Sequence, residues 1–310
     1  PMQAKADRGG FVSHAERING AKVRARSEKF FDHFSQAALF WRSQSAPEQE
    51  HMVQALQFEL GKVEIESIRE RMVGMLAEID RGLAERVGAG LGLAVPKKLD
   101  GPLNQSVPAD GDPKVFQPKP MKQTLERSAA LSMADTVKDG IKTRKVAILI
   151  ADGFDEADLA VVQKALSAGG AQAKTVAPKL GSIKSATGKE VKADMSLLGA
   201  ASVLFDAVYV PGGEQCAGVL KAAAPALHFL NEAYKHCKTI AAAGAGIDVL
   251  RETYFGAKLL NGNRNGDPLS IAAGVIAGAA NQRAKVASTF VEAIAQHRHW
   301  SREGEAPVPA

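Results

Sequence analysis

Cysteine thiols are the strongest nucleophiles in this sequence, and there are two of them, Cys216 and Cys237. Cys216 comes shortly after Pro211-Gly212-Gly213, at the end of a predicted strand, where the ligand sites of parallel α/β sheets form. A reactive thiolate also needs a positively charged environment, and Glu214 supplies the opposite charge. The sequence therefore favours a small apolar helix residue at Cys216 over a thiol nucleophile, and an inert thiol at Cys237.

The histidines do not form a recognisable metal-binding pattern. His297 and His299 are two residues apart on a predicted helix, so their side chains should diverge. His228 and His236 are eight residues apart and could share a helix face, but no Asp or Cys ligand accompanies them. The glycine-rich loop Gly262–Asp267 lacks the Lys-Ser/Thr of a P-loop and the spacing of GxGxxG. We expect no metal site, and no phosphate-binding motif in this loop.

Charge and composition exclude several other classes. The net charge is +5, and the densest basic patch, at Lys22, Arg24 and Arg26, is not interleaved with aromatic residues, so nucleic-acid binding is not indicated. Two cysteines in 310 residues fit a reducing cytosol, which predicts a cytoplasmic protein. No apolar run reaches the ~18 residues that a membrane span needs.

The elements that must position these residues divide into four predicted parts. Residues 1–27 are polar and without sustained periodicity, which indicates an extended arm. Residues 28–95 have helical periodicity that ends near a group of glycines around Gly90, and they predict an α-helical domain. Residues 96–144 are rich in proline and predict a linker with a short helix in Leu125–Val137.

Within the helical part, Ser45-Ala46-Pro47-Glu48 predicts a helix start. Ser45 can cap free backbone amides, and Pro47 suits the first turn. Glu48 can reach back to the residue that precedes the helix, as in a capping box.

The last part, residues 145–310, alternates short apolar runs with helical patterns. Val146–Ile150 is a continuous apolar run, as expected for a strand covered on both faces. Further predicted elements are strands at Ala173–Ala177, Ala207–Val210 and Thr239–Ala242, a hairpin in Gly181–Ala193 and a final helix over Gln282–His299. The alternation predicts an α/β fold with a parallel sheet and right-handed crossovers.

Two stretches of the sequence resemble haem catalases. FSQAALFWRSQSAPEQEHMVQALQFELGKV (Phe34–Val63) resembles the C-terminal helical region of that family, and GGFVSHAERINGAKVRARS (Gly9–Ser27) resembles its arm that wraps a neighbouring subunit. The α/β part resembles the flavodoxin-like domain of the PfpI/DJ-1 type, in the class I glutamine-amidotransferase-like group, which large-subunit catalases carry at this place. The chain is thus similar, over essentially all of its length, to the C-terminal portion of a large-subunit monofunctional haem catalase.

This resemblance implies a parent enzyme that dismutates hydrogen peroxide to water and oxygen as a haem-containing homotetramer. In the family the distal His and the axial Tyr, which lies in an Arg-x-x-x-Tyr motif, are upstream of the arm. Here Arg251 precedes Tyr254 by three residues rather than four, and Tyr209 and Tyr234 belong to a predicted strand and helix. The chain, which looks like a fragment, is therefore expected to bind no haem. Its expected role is assembly with other catalase subunits, stability and access to the haem.

The resemblance also implies a site that has lost its nucleophile. PfpI/DJ-1 proteins carry a cysteine on a strained strand-to-helix turn, and Gly244 stands at that position here. Ala245 stands where hydrolytic members often have His, Asp158 where the family has Glu, and Gly213 at a pocket position. A glycine cannot supply a thiolate, so we assign no catalytic residue.

Two other functions stay open. One is chaperone-like binding of unfolded client proteins, which the PfpI/DJ-1 relatives suggest, because the aromatic residues of Phe30–Trp41 would expose apolar surface outside a tetramer. The other is residual hydrolase or deglycase activity of the PfpI/DJ-1 type, and the missing cysteine argues against it.

Overall fold

The computed structural model describes residues 4–20, 27–99, 101–107, 109, 111–120, 123–260 and 269–303. The basic patch at Lys22, Arg24 and Arg26 and the loop Gly262–Asp267 lie outside these residues. The chain divides into two compact units, which are Pro1–Arg42 with Ala55–Glu126, and Ser43–Gln54 with Arg127–Ala310. The three boundaries between the four parts that composition suggests stay predictions.

Four helices follow the apolar periodicity of residues 28–95. They are α1 (Ser35–Ser43), α2 (Ala46–Gly61), α3 (Glu66–Ile79) and α4 (Arg81–Leu91). Asp80 separates α3 from α4, because its Oδ1 accepts a hydrogen bond from the N–H of Leu83 at 2.9 Å, as an N-cap does. Gly92, in the left-handed conformation with φ 70°, ends α4, and this confirms the predicted stop.

The core of the first unit lies on the facing sides of α3 and α4. Its buried side chains include Val73, Leu76, Leu83, Ala84 and Val87. The aromatic residues before α2 do not share one environment, because Trp41 is only 5% exposed whereas Phe30 and Phe40 are 63% and 44% exposed.

Glu48, in the first turn of α2, forms only half of the predicted capping box. Its Oε2 accepts a hydrogen bond from the N–H of Ser45 at 2.8 Å, but the buried Oγ of Ser45 has no partner among the described residues. Glu48 also binds residues far along the chain, accepting hydrogen bonds from Ser132 Oγ at 2.7 Å and from the N–H of Met133 at 2.7 Å. The carboxylate therefore joins the start of α2 to a distant segment of the second unit.

The segment around Ser132 does not contain the short helix predicted for Leu125–Val137. It forms two 3-10 turns instead, Ala129–Leu131 and Met133–Asp135. Ser132 separates the turns, and its Oγ accepts a hydrogen bond from the N–H of Ala134 at 3.1 Å, which ends one turn and starts the next.

The second unit is built on a mainly parallel sheet. Its strands, together with those of a separate hairpin, are β1 (Lys145–Leu149), β2 (Gln172–Ala177), β3 (Gly181–Lys184), β4 (Glu190–Ala193), β5 (Met195–Ser196), β6 (Ala207–Val210), β7 (Thr239–Ala243), β8 (Ser270–Ala272) and β9 (Val275–Gly278). Among the described residues, seven strands pair in the order β5-β2-β1-β6-β7-β9-β8, and only β8 runs antiparallel to its neighbour. Strands β3 and β4 form the predicted hairpin.

Helices cover the sheet on two sides. They are α5 (Glu156–Ala168), α6 (Glu214–Ala222), α7 (Ala224–Lys235), α8 (Gly246–Arg251), α9 (Gly256–Leu259) and α10 (Arg283–Ala295). Helices α5 and α10 pack on each other and on the sheet, whereas α6, α7 and α8 pack together. A strand between two helical layers has no solvent face, which is why Val146–Ile150 is apolar throughout and fully buried.

The last helix is shorter than the predicted Gln282–His299. It ends at Ala295, because His297 adopts the left-handed conformation with φ 67°. His297 and His299 therefore do not lie on a helix, so the predicted reason for their divergence is wrong. His299 instead returns to the sheet, where its Nε2 lies 2.9 Å from Thr239 Oγ1.

The residues after His299 contact two other parts of the same unit. One contact is with the sheet side, where the guanidinium of Arg302 donates a hydrogen bond to the carbonyl of Lys238. The other is with the segment Ser43–Gln54. His51 Nε2 lies 3.0 Å from Glu303 Oε2, and the ring of His51 is 6.4 Å from that of Trp300. The beginning and the end of the second unit are thus joined directly.

Replacement of Glu48 by Gln should destabilise the second unit by about 1–2 kcal/mol at neutral pH, since hydrogen bonds to a charged group are lost. Burial alone raises the pKa of Glu48, but the hydrogen bonds from Ser45, Ser132 and Met133 outweigh it and lower the pKa below the usual value. A depressed pKa stabilises the fold above the unfolded-state pKa, so the difference should shrink as the pH falls through the usual glutamate range.

Urea unfolding followed by circular dichroism measures this effect. Glu59→Gln on the same helix is the matched control, because Glu59 makes only an exposed pair with Lys62, and it should change stability by less than about 0.5 kcal/mol. Equal losses in the two variants would contradict the anchoring role of Glu48.

Candidate functional site

The loops that follow β1, β6 and β7 meet at the carboxyl edge of the parallel sheet. This is the edge at which ligand sites form in open α/β sheets. The predicted site residues lie in these loops or in the helices that begin there: Asp158 in α5, Gly213 before α6, Cys216 in α6, and Gly244 and Ala245 before α8. The sheet topology therefore gathers residues that are far apart in sequence.

Asp158 lies at the centre of this group and is 2% exposed. Its Oδ1 accepts a hydrogen bond from the hydroxyl of Tyr209 at 2.6 Å, and its Oδ2 accepts one from the N–H of Gly212 at 2.8 Å. Burial raises the pKa of Asp158 above its usual value, while these two hydrogen bonds oppose the rise. Both oxygens of the carboxylate are thus engaged inside the protein.

Tyr209 was not among the predicted site residues, although its type and position carried a signal. It lies in the central strand β6 and is fully buried, and a buried phenol needs a hydrogen-bond partner. Burial, and then the neighbouring Asp158, raise the pKa of Tyr209 well above its usual value, so the hydroxyl stays protonated and acts as a donor.

Asp155 and Arg283 form a second polar layer that sequence reasoning also missed. Asp155 caps α5, accepting a hydrogen bond from the N–H of Asp158 on Oδ1 at 3.0 Å. Its other oxygen, Oδ2, lies 3.5 Å from Nη2 of Arg283 at the start of α10. The N–H of Asp155 donates to the carbonyl of Gly212 at 2.7 Å. Gly212 thus binds the N-cap and the first turn of α5 through its two backbone groups.

Gly213 allows the close approach of two loops. Its φ is 115°, and a Cβ built there would lie 2.2 Å from the carbonyl oxygen of Gly153. A side chain at this position would therefore have to push the loop after β1 away.

The turn after β7 is formed by Gly244 and Ala245, neither of which carries a nucleophilic side chain. Gly244 has φ 54°, and its N–H donates to the carbonyl of Gly278 at 3.0 Å. A Cβ at Gly244 would lie 3.3 Å from the Cβ of Ala280, a tight contact. Ala245 is 4% exposed, and its methyl side chain cannot act as the histidine expected at this position in hydrolytic members of the family. The arrangement has a carboxyl group, a phenol and backbone amides, but no thiol or hydroxyl to attack a substrate at this turn.

Cys216 does not supply the missing nucleophile. It is fully buried in the first turn of α6, where its Sγ accepts a hydrogen bond from the N–H of Ala151 at 3.2 Å. Burial is the main reason why the pKa of this thiol rises to about 12, with Asp152 adding to the rise. At neutral pH the thiol is protonated and unreactive.

The remaining candidate groups lie apart from this edge. Cys237 has a pKa raised to about 12 by burial and by Glu303. Within the described ranges, no group of three or more His, Cys, Asp and Glu side chains is placed to hold a metal ion. No helix in the described part of the chain combines the length and apolar character needed to cross a membrane.

The described tyrosines do not fit a haem ligand. Tyr209 is fully buried against Asp158, and Tyr234 is 1% exposed and stacked on Phe255 with ring centroids 4.3 Å apart. Tyr254 is 38% exposed and packs edge-on against both Tyr234 and Phe255. Each of the three rings is thus packed against other side chains of the second unit.

Two family models match the chain. One, described as "Catalase-related immune-responsive", matches residues 27–91, and the other, described as "C-terminal domain found in long catalases", matches residues 142–304. Catalase HPII of Pseudomonas aeruginosa is 40% identical over 299 residues, which cover 96% of this chain and 37% of that protein.

Similar matches extend to other organisms. Catalase-2 of Bacillus subtilis is 36% identical over 97% of this chain and 39% of its own length, and Catalase-1 of Neurospora crassa is 32% identical over 97% and 40%. The chain thus spans about two fifths of the length of the curated relatives it matches.

Replacement of Gly244 by Ala should destabilise the second unit by about 1–2 kcal/mol, since a left-handed backbone strains an L-residue and the new Cβ crowds Ala280. Gly218→Ala is the matched control, because this glycine lies within α6 and its built Cβ has no neighbour within 4 Å. The control should be stabilised by about 0.5–1 kcal/mol. Urea unfolding measures both, and a loss confined to Gly218→Ala would refute this account of the turn.

Replacement of Tyr209 by Phe should cost about 1–3 kcal/mol, because the buried carboxylate of Asp158 loses one of its two donors. The hydrogen bond favours ionised Asp158, whose pKa is raised in the fold, so the cost should be largest at neutral pH and shrink as acid protonates the carboxyl group. Urea unfolding across pH tests this, with the same substitution repeated in an Asp158→Asn background. A cost unchanged by Asp158→Asn would show that the hydroxyl acts through other contacts.

Proposed function

The chain belongs to the family of the C-terminal domain found in long catalases, and on that premise we propose that it is the catalytically silent C-terminal part of a large-subunit catalase. In this proposal the whole protein uses haem to dismutate hydrogen peroxide to water and oxygen. The present chain contributes subunit assembly, stability and access to the haem, and its partners are the other subunits of a homotetramer.

The observation that carries this proposal is the order of the two family matches along one chain. The catalase-related match covers residues 27–91 and the long-catalase match covers residues 142–304, and the catalase relatives align across both. The described tyrosines, which do not fit a haem ligand, support a role outside the haem chemistry.

We further propose that the α/β part is a flavodoxin-like domain of the PfpI/DJ-1 type. The order β2-β1-β6-β7-β9 of its central parallel strands supports this, because it is the 2-1-3-4-5 order of flavodoxin-like sheets. The positive φ at Gly244, directly after β7, agrees with a strained strand-to-helix turn. With glycine at this turn, a hydrolase activity of the PfpI/DJ-1 type has no attacking group, so we rank it last.

Exposed apolar side chains in the first unit support an assembly role. Phe11 and Ile18 in the segment before α1 are 78% and 83% exposed, and Phe58 and Ile68 on α2 and α3 are 66% and 46% exposed. Each of these side chains is available to be buried against another chain, which would release its apolar surface from water. The same side chains favour chaperone-like binding of unfolded proteins as a second candidate function.

We propose that the protein is located in the cytoplasm. Both cysteines are free and buried, which fits a compartment that keeps thiols reduced.

A chimera tests the assembly proposal. In Catalase HPII of Pseudomonas aeruginosa, the region that aligns with this chain is replaced by the chain itself and, in a second form, is deleted. We expect the chimera to keep tetramer mass, haem absorbance and peroxide decomposition, and the deletion to lose assembly or heat resistance. A deletion form that matches the chimera in every readout would refute the assembly role.

Variants of the chimera separate assembly from chaperone-like binding. Phe11→Asp and Ile68→Asp should each weaken the tetramer, because a charge is placed in an apolar contact. Leu180→Asp, at another exposed position of 64%, is the control and should have no effect. If all three chimeras assemble equally but the isolated chain suppresses aggregation of a heated client protein, the chaperone-like function replaces the assembly role.

A further inference from the structure

A cavity of about 610 Å³ lies in the second unit, between the segment after β5 and helix α7. Its volume is in the range of pockets that hold small organic molecules. The walls are mainly apolar and include Leu197, Leu198, Val203 and Phe229. Neither the residues at the carboxyl edge of the sheet nor the tyrosines line this cavity.

Ser202 lines the cavity and is held by a buried ammonium group. Lys238, which is 4% exposed, donates hydrogen bonds from Nζ to the carbonyl of Ser202 at 2.6 Å and to its Oγ at 3.3 Å. A hydroxyl that accepts a hydrogen bond from an ammonium group becomes a stronger donor through its own hydrogen. No acceptor for that hydrogen is found among the described residues.

The positive charge of Lys238 has no direct counter-ion. Within the described part of the chain, no carboxylate lies within 4 Å of its Nζ. Burial, with Arg298 adding to it, lowers the pKa of Lys238 to about 8, while Asp206 and Glu232 oppose the shift from farther away. The group is still mostly protonated at neutral pH, so the cavity has a positive charge behind Ser202.

Helix α7 supplies the polar rim of the cavity. His228 and Glu232 are four residues apart on one side of the helix, and His236, the residue directly after α7, also lines the cavity. The carboxylate of Glu232 is already occupied, with Nε2 of His236 at 3.3 Å and Nζ of Lys235 at 3.9 Å. The other carboxylate that acts on Lys238, that of Asp206, is likewise paired, with Arg144 at 3.7 Å.

We propose that this cavity binds a small monocarboxylic acid with an apolar body. The carboxylate lies toward Ser202, accepts its hydroxyl hydrogen and offsets the charge of Lys238. The body packs on Leu197, Leu198, Val203 and Phe229. The charge of Lys238 favours an anionic head group over the other two kinds. A cationic head group would be repelled by the ammonium group, and a neutral head group would leave the ammonium group without a counter-charge. This site is independent of the assembly role.

Titration of the full 310-residue chain with decanoate tests the proposal. The ¹³C resonance of the labelled carboxyl group and the heat of binding should report one saturable site. Decyltrimethylammonium and 1-decanol carry the same apolar body with a positive and a neutral head, and each should bind at least about tenfold more weakly.

Two lining residues allow variants that should fold normally. Leu198 and Val203 are 87% and 81% exposed, so Leu198→Asp and Val203→Asp remove no core packing, yet each puts a negative charge beside the ligand. We expect decanoate binding to weaken about tenfold or more in each. Leu180→Asp makes the same change on an exposed leucine outside the cavity lining, and it should leave binding within about twofold.

Ser202→Ala addresses the head group. It should reduce the preference for decanoate over 1-decanol about tenfold, the equivalent of one hydrogen bond to a charged group. The proposal is overturned if no saturable binding occurs, if the cation or the alcohol binds as tightly as decanoate, or if Leu180→Asp weakens binding as much as the two lining variants.

Discussion

The two backbone hydrogen bonds of Gly212 hold the carboxyl edge of the sheet together. Its N–H binds the carboxylate of Asp158 and its carbonyl binds the N–H of Asp155, so the loop after β6 is fixed to the start of α5 at two points. Asp158 in turn fixes Tyr209. Each of these groups is buried or nearly so, and each would cost free energy if left without a partner. The positions of β1, β6 and α5 therefore depend on one short network.

The turn after β7 lies beside this network, because a Cβ built at Gly244 would be 3.7 Å from the Cα of Gly212. A catalytic carboxyl group needs to face a substrate, but both oxygens of Asp158 face groups of the protein itself. Gly244 then has a purely conformational role, since its left-handed backbone lets β7 turn sharply into α8.

Much of the fold could be predicted from the sequence, because strands and helices there carry simple apolar patterns. Val146–Ile150 and Ala207–Val210 consist of hydrophobic residues at every position and are buried throughout. This pattern is typical of a strand that is covered on both faces of its sheet. The patterns failed where one side chain or one backbone angle decided the outcome. The final helix ends early because His297 turns left-handed. At the start of α2, Glu48 accepts a hydrogen bond from the N–H of Ser45, but the Oγ of Ser45 has no partner among the described residues. The candidate site residues Asp158 and Gly244 came from the family resemblance and not from a local pattern, and no local pattern shows that Tyr209 would donate a hydrogen bond to Asp158.

The contact between His51 and Glu303 has a consequence for the order of events during synthesis. The two residues are 252 positions apart, and they belong to the same compact unit. A ribosome adds about 5–20 residues per second, so the segment around His51 must wait on the order of ten seconds or more for its partner to be made. During that interval the first turns of α2 lack their final neighbours, and the second unit can reach its finished form only after Glu303 has been made. The last step in the folding of this unit therefore waits for the synthesis of the segment around Glu303.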